Sequence, residues 1–200
     1  MSPRFFALAY VVLFVAARVL GRLLARRQAR GRDTGAVIDD RVNAGERLVM
    51  AAYLAGGLVL PLLALGPWLP ELRYSLPEGA SWAGLAILAG ALYLHVRSIA
   101  DLGRSYSATV RTRERQPLVR DGVYAWVRHP IYASLWLVTL AQPLLVHHVV
   151  FGFAGLLGFA LLYFYRLPRE EGMMLDRYGD EYRDYMRRVG GVVPRLRRQP

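Results

Sequence analysis

The chain has 200 residues, 54% of them hydrophobic, and a formal net charge of +11, with a mean hydropathy of +0.24. That combination excludes an ordinary soluble domain, which has nowhere to hide so much apolar surface, and a disordered basic tail, which joins high charge to low hydrophobicity. All 26 basic residues are arginine, and the absence of cysteine excludes a disulfide framework, a thiolate metal site and a cysteine nucleophile.

Apolar runs near the twenty residues needed to cross a bilayer recur between charged segments, so the pattern predicts an all-α integral membrane protein. The first run is Phe5 to Ala25, with Arg18 and Arg22 confined to its C-terminal end. The second, Leu48 to Leu69, carries Gly56-Gly57 and Pro61, which membrane helices tolerate. The third is Trp82 to Ala100, flanked by Pro77 and Asp101. The fourth, Ile131 to Tyr165, contains no Asp, Glu or Arg and is too long for one crossing. It reads as a helical hairpin turning near Gln142-Pro143 or His147-His148, each arm about 25 Å long at 1.5 Å per residue, for a total of five transmembrane helices. Beyond Arg166, Leu175, Tyr178, Tyr182, Tyr185 and Val189 recur at spacings of three and four. That stripe predicts a C-terminal amphipathic cytoplasmic helix, lying on the membrane surface or packed over the hairpin as a lid.

The arginines sort the loops. Six fall between Arg26 and Arg47, six between Arg104 and Arg128 and nine after Tyr165, against Arg4 and Arg73 alone on the opposite face. Because cytoplasmic loops are enriched in basic residues, the N-terminus is expected outside and the C-terminus, with any active site on that face, inside. An arginine-only, alanine-rich composition points to a GC-rich bacterial genome and hence to a bacterial inner membrane. The chain divides into residues 1–100, three helices with a basic cytoplasmic loop, and residues 101–200, the half expected to carry chemistry. Arginines dispersed by topology over three segments do not make the single basic stripe of a nucleic-acid binder, so no nucleic-acid partner is expected.

Two polar clusters flank the hairpin. One is the run from Leu118 to Tyr132, including Arg128 and His129; the other is Arg166 to Glu171. A hairpin brings its own ends together, so Arg128, His129 and Tyr132 are expected beside Arg166, Glu170 and Glu171 at the membrane boundary. No nucleotide-binding glycine loop and no zinc-spaced histidine pair is present. His147 and His148 are adjacent and do not share a helical face, so they read as interfacial, and no metal is expected. Arg18, Arg22 and Arg97 read as snorkelling side chains, and His95 as a satisfied packing histidine.

The run LVxxGxYxxxRHPxY (Leu118 to Tyr132), then RxxxEE (Arg166 to Glu171), YGDEYRDYMRRV (Tyr178 to Val189) and Pro194 resembles the isoprenylcysteine carboxyl methyltransferase family and its relatives among phospholipid methyltransferases. The resemblance covers about residues 102 to 195. It implies S-adenosylmethionine bound on the cytoplasmic side and a lipophilic or prenylated methyl acceptor entering from the membrane lipid. Carried over by position, the cofactor contacts are Gln116, Pro117, Leu118, Val119, Tyr124, His129, Pro130, Ile131, Tyr132 and Glu170. Arg166 matches the arginine that meets the substrate. Arg166, Glu170 and Glu171 form the expected catalytic set. Two positions depart from the family pattern: Ser134 stands where most members have glycine, and Thr109 where a glutamine can serve.

The residue chemistry is compatible with this. The cofactor needs a carboxylate such as Glu170 for its ammonium, donors such as His129 or Arg128, and an aromatic wall such as Tyr124 and Tyr132. A carboxylate acceptor is already ionised at neutral pH, so it needs no base, and Arg166 can hold it through two hydrogen bonds. A phenol or amine acceptor needs deprotonation, with His129 or Glu171 as the base. The alternatives are methylation of a phospholipid amine or lipidic phenol, an NADPH-dependent membrane reductase, and a non-enzymatic scaffold or transporter.

Overall fold

The computed structural model describes residues 1–29, 37–40, 43–103, 111–113 and 117–195. Thr109 and Gln116 lie outside the described residues. Helix α1 spans Pro3–Ala29. Helix α2, Ala44–Leu54, runs through a π-helical turn at Ala55–Val59 into α3, Leu60–Leu63. Helix α4 is Glu78–Leu102, α5 Pro130–Leu145, α6 Val149–Tyr178 and α7 Asp180–Arg188. Among the described residues four stretches are long and apolar enough to cross a membrane: Pro3–Arg27, Ala44–Leu63, Glu78–Leu102 and Val149–Tyr178. Helix α5 is apolar but shorter.

The helices close into a bundle in the order α1, α4, α5, α6, α2, with the π-turn after α2 and α3 returning to α1. The core is aromatic: Tyr10, Phe14, Tyr53, Tyr132 and Phe159 are buried. The outward stripe of α6 (Val150, Phe153, Leu157, Leu161, Phe164) and that of α1 (Leu8, Val12, Val15, Val19, Leu23) are exposed and wholly apolar, as a lipid-facing surface requires.

Polar groups lock the bundle where backbone amides are freed. The π-turn leaves carbonyls of α2 without helical partners. Gln142 Nε2 donates to Gly56 O at 2.9 Å and to Phe151 O at 2.7 Å. Its Oε1 accepts from Tyr10 Oη at 2.8 Å, and Tyr10 Oη also lies 3.1 Å from Gly57 O. One buried glutamine thus joins α1, α2, α5 and α6. Gly56 and Gly158 let α2 and α6 touch backbone to backbone; a Cβ on either would collide with a carbonyl of the other helix.

The hairpin turns at Val146–His148, the second of the two expected places. His148 Nδ1 accepts from Phe151 N at 3.2 Å, capping α6, while Nε2 meets Leu69 O at 3.2 Å. The expected equal arms are not found. Helix α6 has 30 residues, about 45 Å, and carries Arg166 to Glu171 on the turns that project beyond α5. Nor is the tyrosine stripe one helix. Gly179, at φ +52°, breaks it, so Leu175 and Tyr178 belong to α6 and Tyr182 and Tyr185 to α7. The all-α expectation also misses a two-stranded antiparallel ribbon, β1 (Val37–Asp40) paired with β2 (Arg111–Arg113).

These pairings group the loops as the arginine count does. The ribbon joins the two arginine-rich loops, and a bridge from Val127 to Gly190 ties the second of them to the tail. At the other end Arg73 bridges His148, and the Met1 ammonium meets Glu78 at 2.9 Å.

Candidate active site

The segment before α5 is a short 3-10 turn, Gly122–Ala125, pinned from α4. Asp101 Oδ2 accepts from Val123 N at 2.9 Å, and Asp101 Oδ1 pairs with Arg97 at 2.9 Å. Gly122 sits at φ +61° against the Asp101 carboxylate, where a Cβ would collide, so the glycine of the GxY motif is needed both for its backbone angle and for this approach. Pro130 then opens α5 at a first-turn position that lacks no hydrogen bond by being proline.

Arg128 is a clamp. Its Nη1 donates to the carbonyls of Met186 (3.3 Å) and Val189, while Nη2 pairs with Glu171 at 2.8 Å. A guanidinium at the C-terminal end of α7 satisfies carbonyls the helix leaves open. Backbone bonds from Arg128 N to Gly190 O (2.8 Å) and His129 N to Gly191 O (3.0 Å) complete the seam. Glu171 also meets His129 Nε2 at 3.1 Å. Glu171, expected as a candidate base, is therefore engaged by Arg128 and His129.

Glu170 faces the other way. Its Oε1 accepts from Tyr132 Oη at 2.6 Å and from Arg166 Nη2 at 2.9 Å. On the far side of Arg166, Nε lies 3.8 Å from Glu46 Oε1, with both side chains buried. Arg166 thus stands between two carboxylates, Glu170 of the motif and Glu46, which no family motif marks. Glu46 follows Asn43 by three residues, a helix-capping pattern, and Asn43 Oδ1 does accept from Glu46 N at 3.0 Å. That local signal hides a carboxylate whose partner is distant in sequence.

These residues surround a cavity of about 380 Å³, within the roughly 300–1,000 Å³ usual for small-molecule sites. Of the expected cofactor residues, Pro117, Leu118, Val119, Tyr124, His129, Pro130, Ile131, Tyr132 and Glu170 all line it, as does Arg166; Gln116 lies outside the described residues. Glu171 stands outside the lining. The tyrosine stripe contributes Tyr178, Tyr182 and Tyr185, and the first helices contribute Arg18, Arg22, Met50 and Tyr53, none of them expected there. Burial pushes the Tyr182 hydroxyl up to about 12 and raises that of Tyr185 as well, so both stay protonated near neutral pH. Tyr185 uses its proton on Tyr124 O at 2.6 Å, holding the 3-10 turn against α7.

The two other expectations resolve simply. His95 is buried with its Nδ1 3.0 Å from Ser134 Oγ, as expected of a satisfied histidine, and it also lines the cavity. Ser134, the departure from glycine, is buried and also donates to Ile131 O at 2.6 Å, so the hydroxymethyl is accommodated by that pair.

Residues 82–176 match the isoprenylcysteine carboxyl methyltransferase (ICMT) family. The protein-S-isoprenylcysteine O-methyltransferase of Schizosaccharomyces pombe is 28% identical over 56% of this chain and 48% of its own length. That of Rattus norvegicus is 26% identical over 76% of this chain and 57% of its own. The methanethiol S-methyltransferase of Mycobacterium tuberculosis is 37% identical over 36% of this chain and 28% of its own. The chain spans about half the length of the curated relatives it matches. A solved eukaryotic intramembrane Ras methyltransferase, ICMT, shares the fold over 97% of this chain and 68% of its own, with a TM-score of 0.63 at 20% identity. Helices long and apolar enough to cross a membrane make the chain an integral membrane protein that shares its fold with this neighbour, and its residues 82–176 carry the sequence pattern of the isoprenylcysteine carboxyl methyltransferase family.

Proposed function

We propose that this chain is an S-adenosylmethionine-dependent methyltransferase of the membrane that acts on a lipophilic acceptor, by carboxyl O-methylation of an isoprenylcysteine. The observation that carries this reading is the convergence of RHPxY and RxxxEE on one cavity: Tyr132 and Arg166 meet on a single oxygen of Glu170. The curated relatives named as methyltransferases support methyl transfer over hydride transfer from NADPH. Sequence order and the loop pairings support five crossings, α5 being the short fifth, with the arginine-rich end and the C-terminus in the cytoplasm and the N-terminus outside. The composition supports a bacterial inner membrane.

The donor set fits the cofactor. Glu170 offers a carboxylate to an ammonium, the rings of Tyr124, Tyr178 and Tyr182 offer faces to a cation, and Pro117 to Val119 offer backbone and apolar contact. S-Adenosylmethionine supplies a methyl group on a sulfonium, open to direct displacement. The protein's part is to align acceptor and methyl and to exclude water. Tyr132 and Arg166 orient Glu170, and Glu46 holds Arg166 from behind. Arg128, His129 and Glu171 fix α7 over the cavity mouth. An ionised carboxylate needs no base, which agrees with a site in which Tyr182 and Tyr185 are held protonated.

Isothermal titration of the detergent-purified protein with S-adenosylhomocysteine and, separately, NADPH tests the reading. Binding of the first and not the second is expected. Binding of NADPH alone, or of neither by a folded sample, overturns it.

A further inference from the structure

We propose, resting on the methyltransferase reading above, that Arg18 and Arg22 of α1 form an anion-recognition site in the cavity for the acidic headgroup, carboxylate or phosphate, of the lipophilic acceptor. A snorkelling arginine belongs on the lipid face of its helix. Arg18 does not lie there. It is four residues after Phe14 and three before Gly21, both buried, and it lies between them at the edge of the inward face. Its guanidinium carbon is 5.5 Å from the ring centroid of Tyr53, which is fully buried. Arg22 follows one turn on and is itself exposed, and both line the cavity.

The charge balance of the cavity points the same way. Arg166 is matched by Glu170 and, at 3.8 Å, by Glu46. Arg128 is matched by Glu171. Among the described residues Arg18 and Arg22 have no ion-pair partner, so they are the cavity's two uncompensated arginines. The charge of Arg18, half-buried against an apolar interior, is retained at a cost unless something pairs with it. A guanidinium has the fork geometry that binds a carboxylate or a phosphate by two parallel hydrogen bonds. The surrounding wall is Met50, Tyr53, Leu54, Leu135 and Leu162, suited to the apolar stem of an amphiphile. The expected cofactor residues of the 3-10 turn, α5 and Glu170 line the same cavity and belong to elements other than α1.

The test uses the full-length protein in a non-ionic detergent, with paired probes that differ only in headgroup charge. N-acetyl-S-farnesylcysteine is set against its methyl ester, and dioctanoyl phosphatidic acid against dioctanoylglycerol. The wild type is expected to bind at least one acid about tenfold more tightly than its neutral twin. Which acid wins identifies the headgroup as carboxylate or phosphate. Arg18→Gln with Arg22→Gln is expected to abolish that preference while S-adenosylhomocysteine affinity stays within about threefold, and Arg18→Lys alone to keep part of it. Equal binding of acid and neutral twin by the wild type overturns the proposal, as does an undiminished preference in the double variant. Loss of acid and S-adenosylhomocysteine binding together also overturns it, by putting the arginines on the cofactor side. If the wild type prefers the acid but binds no S-adenosylhomocysteine, the anion site stands and the methyltransferase reading beneath it fails.

Discussion

Replacing Glu170 with glutamine keeps the shape of the side chain and removes its charge. The glutamine carbonyl can accept from Tyr132 Oη or Arg166 Nη2, now 2.6 and 2.9 Å from one carboxylate oxygen. It does so more weakly, because hydrogen bonds to charged groups contribute about 1.5–3 kcal/mol against roughly 1 for neutral pairs. Arg166 keeps Glu46 at 3.8 Å, so the guanidinium is not stranded and the fold should survive. A cofactor ammonium, however, loses its carboxylate. Losing one charge-assisted bond of about 1.5–3 kcal/mol corresponds to about a 10- to 150-fold weaker S-adenosylhomocysteine affinity. Titration calorimetry on Glu170→Gln reads this directly, with a thermal melt confirming the fold. Glu171→Gln is the internal contrast. Its carboxylate braces Arg128 and His129 behind the cavity wall, so it should lower the melting temperature and change affinity by less than about threefold. Unchanged affinity in a folded Glu170→Gln protein would refute the assignment of Glu170 to the cofactor.

Two further substitutions probe the frame around the site. Gly122→Ala forces a Cβ into the left-handed region and against the Asp101 carboxylate. The backbone term alone costs about 1–2 kcal/mol, so a lower melting temperature with weakened cofactor affinity is expected; a variant that melts and binds like the wild type would remove the strain argument. Gln142→Leu orphans Tyr10 Oη and the carbonyls of Gly56 and Phe151 deep in the bundle. Membrane-protein hydrogen bonds average about 0.6 kcal/mol each and reach about 1.7, so a loss of about 2–5 kcal/mol is expected in a reversible unfolding titration. An undiminished stability would mean that the glutamine is not the lock of the bundle.

Much of the architecture was legible because a bilayer imposes strong rules. Length of apolar run, arginine placement and the motif order sufficed to foresee an apolar helical bundle, a hairpin and two polar clusters meeting at its ends. Those features depend on local composition or on chain connectivity, and a linear pattern carries both. The unequal hairpin was less visible, because a helix that leaves the membrane keeps its hydrogen bonds and only its side chains change character. The break at Gly179 was concealed by a tyrosine spacing that is equally periodic on either side of it.

By itself the sequence determined the membrane character, the grouping of basic loops on one face and the family motif that nominates Glu170, Tyr132 and Arg166. The tertiary structure decided which of those charges are already spoken for. It turned Arg128 and Glu171 into a brace for α7, brought Glu46 from a helix cap to Arg166, and set Arg18 and Arg22 on the cavity wall. Charge compensation acts through space between residues more than a hundred positions apart, and no spacing along the chain records it.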